Sequence, residues 1–187
     1  MDQSKSLYKF TWIYGLILGG LPTLYHMVIY GMGLHLDYGY YGERLGEAYT
    51  QARGYLLPLL LFIALYTYRK ANENSLRLKE GMMIGLWIFL IGSIVVIGYN
   101  LVFRLLLEPD FSAEFYALNR GRIFNELLEG HLELGRDYTQ EDMDNHVQTN
   151  GNLWISFSVN LVLNLLFTAF FSFVFGLLLK RKKAVTD

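Results

Sequence analysis

Apolar residues in this chain are gathered into long runs instead of alternating with polar ones. Three runs stand out: FTWIYGLILGGLPTLYHMVIYGMGL over 10–34, GMMIGLWIFLIGSIVVIGYNLVFRLLL over 81–107 and LWISFSVNLVLNLLFTAFFSFVFGLLL over 153–179. Crossing a hydrocarbon core of ~30 Å takes roughly 20 helical residues, so each run predicts a membrane-spanning helix. A fourth run, GYLLPLLLFIALYTY over 54–68, has 15 residues, which makes about 22 Å of helix. It spans only if the helix starts earlier, around Gly46 to Gln51, with Arg53 snorkelling outward. The expected spans are therefore 10–34, 48–68, 81–107 and 153–179.

Between the third and fourth runs the pattern changes. After Pro109, the residues Phe111, Phe115, Leu118, Phe124, Leu127, Leu128 and Leu132 recur near helical spacing, interrupted by Gly121 and Gly130. This predicts an amphipathic helix kinked or split at the glycines. Thr139-Gln140-Glu141-Asp142 then reads as a capping box opening a second, short helix with Met143 and Val147 as its apolar stripe. Asn150-Gly151-Asn152 ends it. Residues 31–53 form a glycine- and tyrosine-rich loop whose GYYG cluster is expected at the headgroup level.

Composition narrows the class. At 53% hydrophobic over 187 residues the chain is too apolar for an ordinary soluble domain. With no cysteine, a disulfide framework, a thiolate metal site and a cysteine nucleophile are excluded. The first apolar run is longer than a signal-peptide core and lacks a small-x-small cleavage pattern, so it is read as a retained span.

Charge sets the expected orientation, because Lys and Arg accumulate on the cytoplasmic side. With both termini inside, the inner segments hold Lys5, Lys9, Arg69, Lys70, Arg77, Lys79, Lys180, Arg181, Lys182 and Lys183 against four acids, a net charge of +6. The other side carries six arginines and thirteen acids, net −7. All seven lysines fall inside. Tyr8, Trp12, Tyr66, Tyr68 and Trp154 are expected at the interfaces. The KRKK tail and the RKANENSLRLK hairpin are read as topology anchors beside anionic lipid, and nothing in them resembles a nucleic-acid reader. The 108–152 insert holds ten acids and three arginines, the wrong sign for an anionic membrane surface. Its apolar face is expected to dock on the outer mouth of the bundle, on a second copy or on a partner.

The layout as a whole also looks familiar. A glycine-rich first span, a second span ending in YTYRKANENS, a charged hairpin RLKEG, an EPDF exit, an acidic helical loop and a last span closing in LLLKRKK resemble the inner-membrane proteins of domain-of-unknown-function family 4199, common in Bacteroidetes. The resemblance implies a bacterial inner-membrane location and a four-span layout. It implies no activity and no site residues.

Candidate chemistry rests on depth. His26, Asn100, Arg104 and Asn160 are placed in one layer of the outer leaflet, with Asn164 a turn deeper on the face of Asn160. For the asparagines, interhelical hydrogen bonding competes with a substrate or proton path; for Arg104 the competing role is interfacial anchoring; for His26 it is a satisfied buried imidazole. His35-x-Asp37 and His131-x-Glu133 are weak candidates for a divalent ion, without any recognised metal-ligand spacing. Ser6-x-x-Lys9 is a chance likeness to a Ser/Lys dyad, and no GxSxG, Walker or GxGxxG motif occurs. Pro22 and Pro58 should soften their helices. Gly15-x-x-x-Gly19 and Gly81-x-x-x-Gly85 predict tight packing in the cytoplasmic half and looser packing in the outer half.

The reading is an all-α, polytopic four-helix bundle with a helical, acidic periplasmic loop, in the bacterial inner membrane, with no cofactor. The expected role is a non-enzymatic subunit or accessory of a membrane assembly, its partners being the bilayer and either another protein or a second copy, through the spans or the loop. The alternative is a small oligomeric transporter, against which stands the absence of any Asp or Glu inside a span.

Overall fold

The computed structural model describes the backbone of residues 3–38 and 45–180, and side chains over 10–38 and 55–180 apart from Asn150, Leu153, Ser156 and Asn160. The GYYG cluster and the side chains of Lys5, Ser6, Tyr8, Lys9, Arg44, Arg53, Arg181, Lys182 and Lys183 lie outside the described residues. Among the described residues the chain forms six α-helices: α1 (Gln3–Gly31), α2 (Leu45–Ala71), α3 (Leu78–Val102), α4 (Phe111–Glu133), α5 (Gln140–Gly151) and α6 (Leu153–Leu179). Segments Phe10–Gly31, Leu78–Leu107 and Phe157–Leu179 are long and apolar enough to cross a membrane. The 54–68 run is the later part of α2, which has 27 residues, about 40 Å of helix.

α3 packs along α1 on one side and α6 on the other, and α2 contacts the same two helices. Glycine makes this possible. A Cβ on Gly15 would lie 2.7 Å from the Ile91 Cβ, and one on Gly19 would lie 2.5 Å from the Gly92 carbonyl oxygen. Neither fits, so α1 and α3 meet backbone to backbone, as small residues allow in membrane helices. Between α3 and α6, Gly85 abuts the Ser172 side chain and Gly81 faces the Gly176 Cα, with 3.4 Å left for a Cβ.

These contacts enclose a core in which Leu61, Leu65, Leu76, Ile84 and Ile88 have no exposure, flanked by Tyr68 and Leu179. Tyr68 is 3% exposed and packs edge-on against Phe10 at 6.2 Å. Its ring thus packs inward on the helices instead of facing outward. Trp12, Tyr66 and Trp154 are exposed. The beginning of the apolar part of α1, the α2–α3 turn and the end of α6 thus share one end of the molecule, the hairpin end.

In the turn itself Glu73 and Asn74 take left-handed backbone angles (φ 51° and 57°), and the Asn72 amide donates to the Ser75 carbonyl at 3.1 Å. Glu80 caps α3 by accepting from the Arg77 N–H at 2.9 Å, and Arg69 and Lys70 sit in the last turn of α2, where its dipole favours cations. Toward the opposite end the four long helices leave a cavity of about 350 Å³. Outward, Leu16, Leu24 and Met27 of α1, Leu90 and Ile94 of α3, and Val162, Leu166 and Phe170 of α6 are exposed, an apolar girdle suited to hydrocarbon and not to water.

The remaining helices form a cap. α4 is one continuous helix of 23 residues, not split at Gly121 or Gly130. Both glycines lie on its open side with nothing within 4 Å of a Cβ, so no neighbour forces a bend there. The buried face of α4 carries Phe111, Phe115 and Ile123 and Asn119, whose amide donates to the Leu36 carbonyl at 2.8 Å. Phe111 and Phe115 are on the expected face, but the buried stripe runs on through Asn119 and Ile123. In consequence Leu118 and Leu132, assigned to the apolar face from sequence, are 69% and 56% exposed, while Phe124, Leu127 and Leu128 pack at its edge.

α5 opens as expected. The Thr139 hydroxyl accepts from the Asp142 N–H at 3.2 Å and Asp142 accepts from the Thr139 N–H at 2.8 Å; Met143 is fully buried and Val147 packs beside it. The Asp142 carboxyl also accepts from the Thr139 hydroxyl at 2.7 Å, and its two bonds from Thr139, one backbone and one side-chain, hold it below its ordinary range. A depressed carboxylate contributes stability that is present above the unfolded-state value and lost as pH falls through the folded one. Protection of the α5 amides, taken relative to their intrinsic exchange rate, should therefore fall only on acidification below the ordinary carboxylate range, and Thr139→Ala, which costs about 1 kcal/mol of helix stability, should lower it at neutral pH as well.

Candidate functional site

The joint between the membrane helices and the cap gathers the chemistry. α3 does not end as an α-helix: from Phe103 to Leu107 the turn widens to a π-helix, closed by the Glu108 N–H donating to the Phe103 carbonyl at 2.7 Å. Such widened turns often mark functional segments, and they re-aim the residues that follow. Here Phe103 is 1% exposed while Leu105, Leu106 and Leu107 face outward.

Five rings gather about Phe103: His26 edge-on at 4.6 Å, Tyr30 at 5.3 Å, Phe111 at 5.4 Å, Tyr99 stacked at 6.1 Å and His35 edge-on at 6.3 Å. His26 Nδ1 and the Tyr99 hydroxyl are 2.7 Å apart, the proton resting on either partner. His35 lies edge-on to Tyr30 at 4.8 Å and stacks on Phe111. Its Nε2 is 3.8 Å from a Glu108 oxygen, and its buried Nδ1 has no hydrogen-bond partner. Glu108 also accepts from the Tyr30 hydroxyl. Two imidazoles, two phenols and one carboxylate therefore meet where α1, the end of α3 and the start of α4 converge.

The residues singled out from sequence are distributed unevenly around this joint. His26 is in it. Arg104 donates to the Ser112 hydroxyl at 3.1 Å and lies over the Phe111 ring at 5.5 Å, so it ties the cap to α3 instead of reaching freely outward. Asn100 donates to the Val96 carbonyl of its own helix at 2.8 Å, where a bond across helices was expected; an i−4 bond satisfies a polar side chain in hydrocarbon without any partner helix. Asn164 lines the cavity, and its carbonyl accepts from the Thr168 hydroxyl at 2.7 Å. The Asn160 side chain lies outside the described residues. Since Asn100 is satisfied locally, Asn100→Leu should change thermal stability in detergent by no more than about 1 kcal/mol; a larger loss would show that it serves another partner.

Of the weak metal candidates, His35 belongs to the joint, whereas His131 is set back along α4, its Nδ1 2.8 Å from the Leu127 carbonyl oxygen and its ring 4.7 Å from Tyr138. Glu133 is exposed at the end of α4 and Asp37 in the preceding loop. Among the described residues no three His, Asp or Glu gather closely enough to hold a metal ion.

Sequence reasoning missed Tyr99, Glu108, Tyr38 and Asn119. Tyr99 is the neighbour of Asn100, and only the rotation of α3 decides which of them faces α1. The Tyr38 hydroxyl donates to Glu126, its ring lies 5.9 Å from the Arg122 guanidinium carbon, and its N–H donates to Asn119 at 3.4 Å, so the 32–38 loop is latched to α4. Arg120 of α4 is paired with Asp144 of α5. Within the cap, burial pushes the His146 imidazole below its ordinary range. Burial raises the Tyr138 hydroxyl, with the Asp142 charge adding to the effect, and it raises Tyr116, with Arg104 opposing. The cap is thus fastened on three sides: by rings at Phe103, by the latched loop and by its own second helix.

No curated protein and no solved structure matches the chain. The model of the family described as "Protein of unknown function (DUF4199)" matches residues 13–181, nearly the whole length, and the chain belongs to that family.

Proposed function

We propose that the protein is a non-enzymatic accessory or subunit of an inner-membrane assembly, anchored by a four-helix bundle and presenting its acidic cap as the contact surface. The observation that carries this reading is the construction of the cap. It has a core of its own around Phe111, Phe115, Ile123, Tyr138 and Met143, and it is fixed to the membrane helices through Phe103. A fastened, preorganised surface loses little freedom on binding. On its open side α4 shows Glu114, Glu129 and Glu133 beside Leu118 and Leu132, acids interspersed with exposed leucines, a composition that suits a protein partner better than an anionic lipid surface.

The positive-inside distribution supports a cytoplasmic hairpin end, with the cap in the periplasm and α2 as the fourth span. Single cysteines placed at exposed positions of this cysteine-free chain test that orientation: a Cys at position 71 should stay closed to an impermeant reagent on spheroplasts and label once the membrane is opened, and a Cys at 125 should label from outside. Purification from mild detergent tests the role. A stable hetero-complex that is lost when Glu129 and Glu133 are changed to Lys supports the accessory reading. A homodimer of constant stoichiometry that is indifferent to those changes supports the second reading, a small transporter, for which the His26–Tyr99 pair inside the apolar part of the molecule is the specific observation.

A further inference from the structure

The cavity of about 350 Å³ is walled by all four long helices: Leu18 and Pro22 of α1, Leu57 of α2, Ser93 and Val96 of α3, and Leu161 of α6 are among its lining. We infer that it is a binding site for one hydrocarbon chain of a phospholipid, held inside the helices and distinct from the lipid that coats them.

The size lies in the range of ligand sites, and the wall is apolar with a few hydroxyl and amide groups, the usual make-up of a site for an apolar ligand. Its lining residues run from Leu18 to Tyr25 on α1, from Phe89 to Ile97 on α3 and from Phe157 to Asn164 on α6, about 10 to 12 Å along each helix axis. That reach along the helices, between mostly aliphatic walls, accommodates a segment of acyl chain. Ser93 stands where a larger side chain would fill the space, and the proline ring of Pro22 forms part of the wall.

Access is from the bilayer. Leu21 and Leu161 both line the cavity and are exposed on the outside of the helices, so the opening faces the apolar girdle, where acyl chains are the abundant species. Water is a poor occupant, because a buried water needs two to four polar partners and this wall is mostly hydrocarbon. A void of this volume left empty would forfeit packing contacts all round its lining.

Whole protein purified in mild detergent is the material for the test. Native mass spectrometry should show one phospholipid retained per chain after exchange into fresh detergent. A phosphatidylcholine bearing a diazirine on its acyl chain, in mixed micelles, should label peptides containing 89–97 and 157–164. Val96→Phe, which fills the space, should reduce retention and labelling at least tenfold while the protein stays folded, and Ser93→Leu should do the same by a second route. Labelling confined to outward residues such as Leu90 and Leu166, unchanged by both variants, would overturn the proposal. So would Val96→Phe raising the melting temperature with no lipid retained by the wild type, since that is the signature of a plain void. Labelling by a diazirine fatty acid but not by the phospholipid would refute the assignment to phospholipid.

Discussion

Gly19→Val is expected to be the most damaging single substitution in the membrane helices. The first added carbon would already lie 2.5 Å from the Gly92 carbonyl oxygen and 2.8 Å from the Val95 Cβ. The Gly92 contact is with backbone, which cannot rotate away, so α1 must move off α3 as a body. Overpacking costs ~1–3 kcal/mol where side chains can adjust and more where they cannot, out of a total stability of about 5–15 kcal/mol. Thermal unfolding in detergent should show a fall of many degrees or loss of folded protein. Gly20→Ala is the matched control, because a Cβ there meets nothing within 4 Å; it should be neutral or gain up to about 1 kcal/mol from helix propensity. Equal losses at 19 and 20 would mean that α1 and α3 do not meet along this stripe.

Phe103→Ala should have the second largest effect, and a different one. This ring touches α1 through His26 and Tyr30 and the cap through Phe111, so its removal empties the middle of the joint. Truncating a buried Phe costs about 3–5 kcal/mol. The loss falls on docking of the cap, not on α1–α3 contact at Gly15 and Gly19. Limited proteolysis should cut the 134–139 segment much faster than in the wild type while the apolar helices stay protected. Leu118→Ala, on the open face of α4, should leave the cutting rate unchanged. If Phe103→Ala unfolds the membrane helices before the cap is cut, the cap is part of one cooperative unit with them.

The residues behind these two predictions show what was legible and what was not. Gly15 and Gly19 announce a close approach by spacing alone, but nothing in the sequence says that Gly92 is what they approach. Phe103 reads as one more apolar residue in a long run, and its place at the centre of the joint depends on the π turn. Thr139 and Asp142 were legible because a capping box is a local device, complete within four residues. Asn119 was not, because its partner carbonyl on Leu36 is 83 residues away in sequence.

By itself the sequence determined where helices form and which segments seek hydrocarbon, since both follow from the length of apolar runs and from local capping. It also carried the separation of basic and acidic segments, and its layout was enough to indicate the family. Only the tertiary structure decided the rotation of each helix about its own axis. A hydrophobic helix is apolar on every side, so periodicity cannot say which face meets protein and which meets lipid. That rotation turned Tyr99 toward His26, left Asn100 to bond its own helix, moved Leu118 and Leu132 to the open side of α4 and set Gly92 and Ser93 against a cavity. Each outcome is fixed by contacts between residues far apart in the chain, and those contacts exist only once the helices have packed.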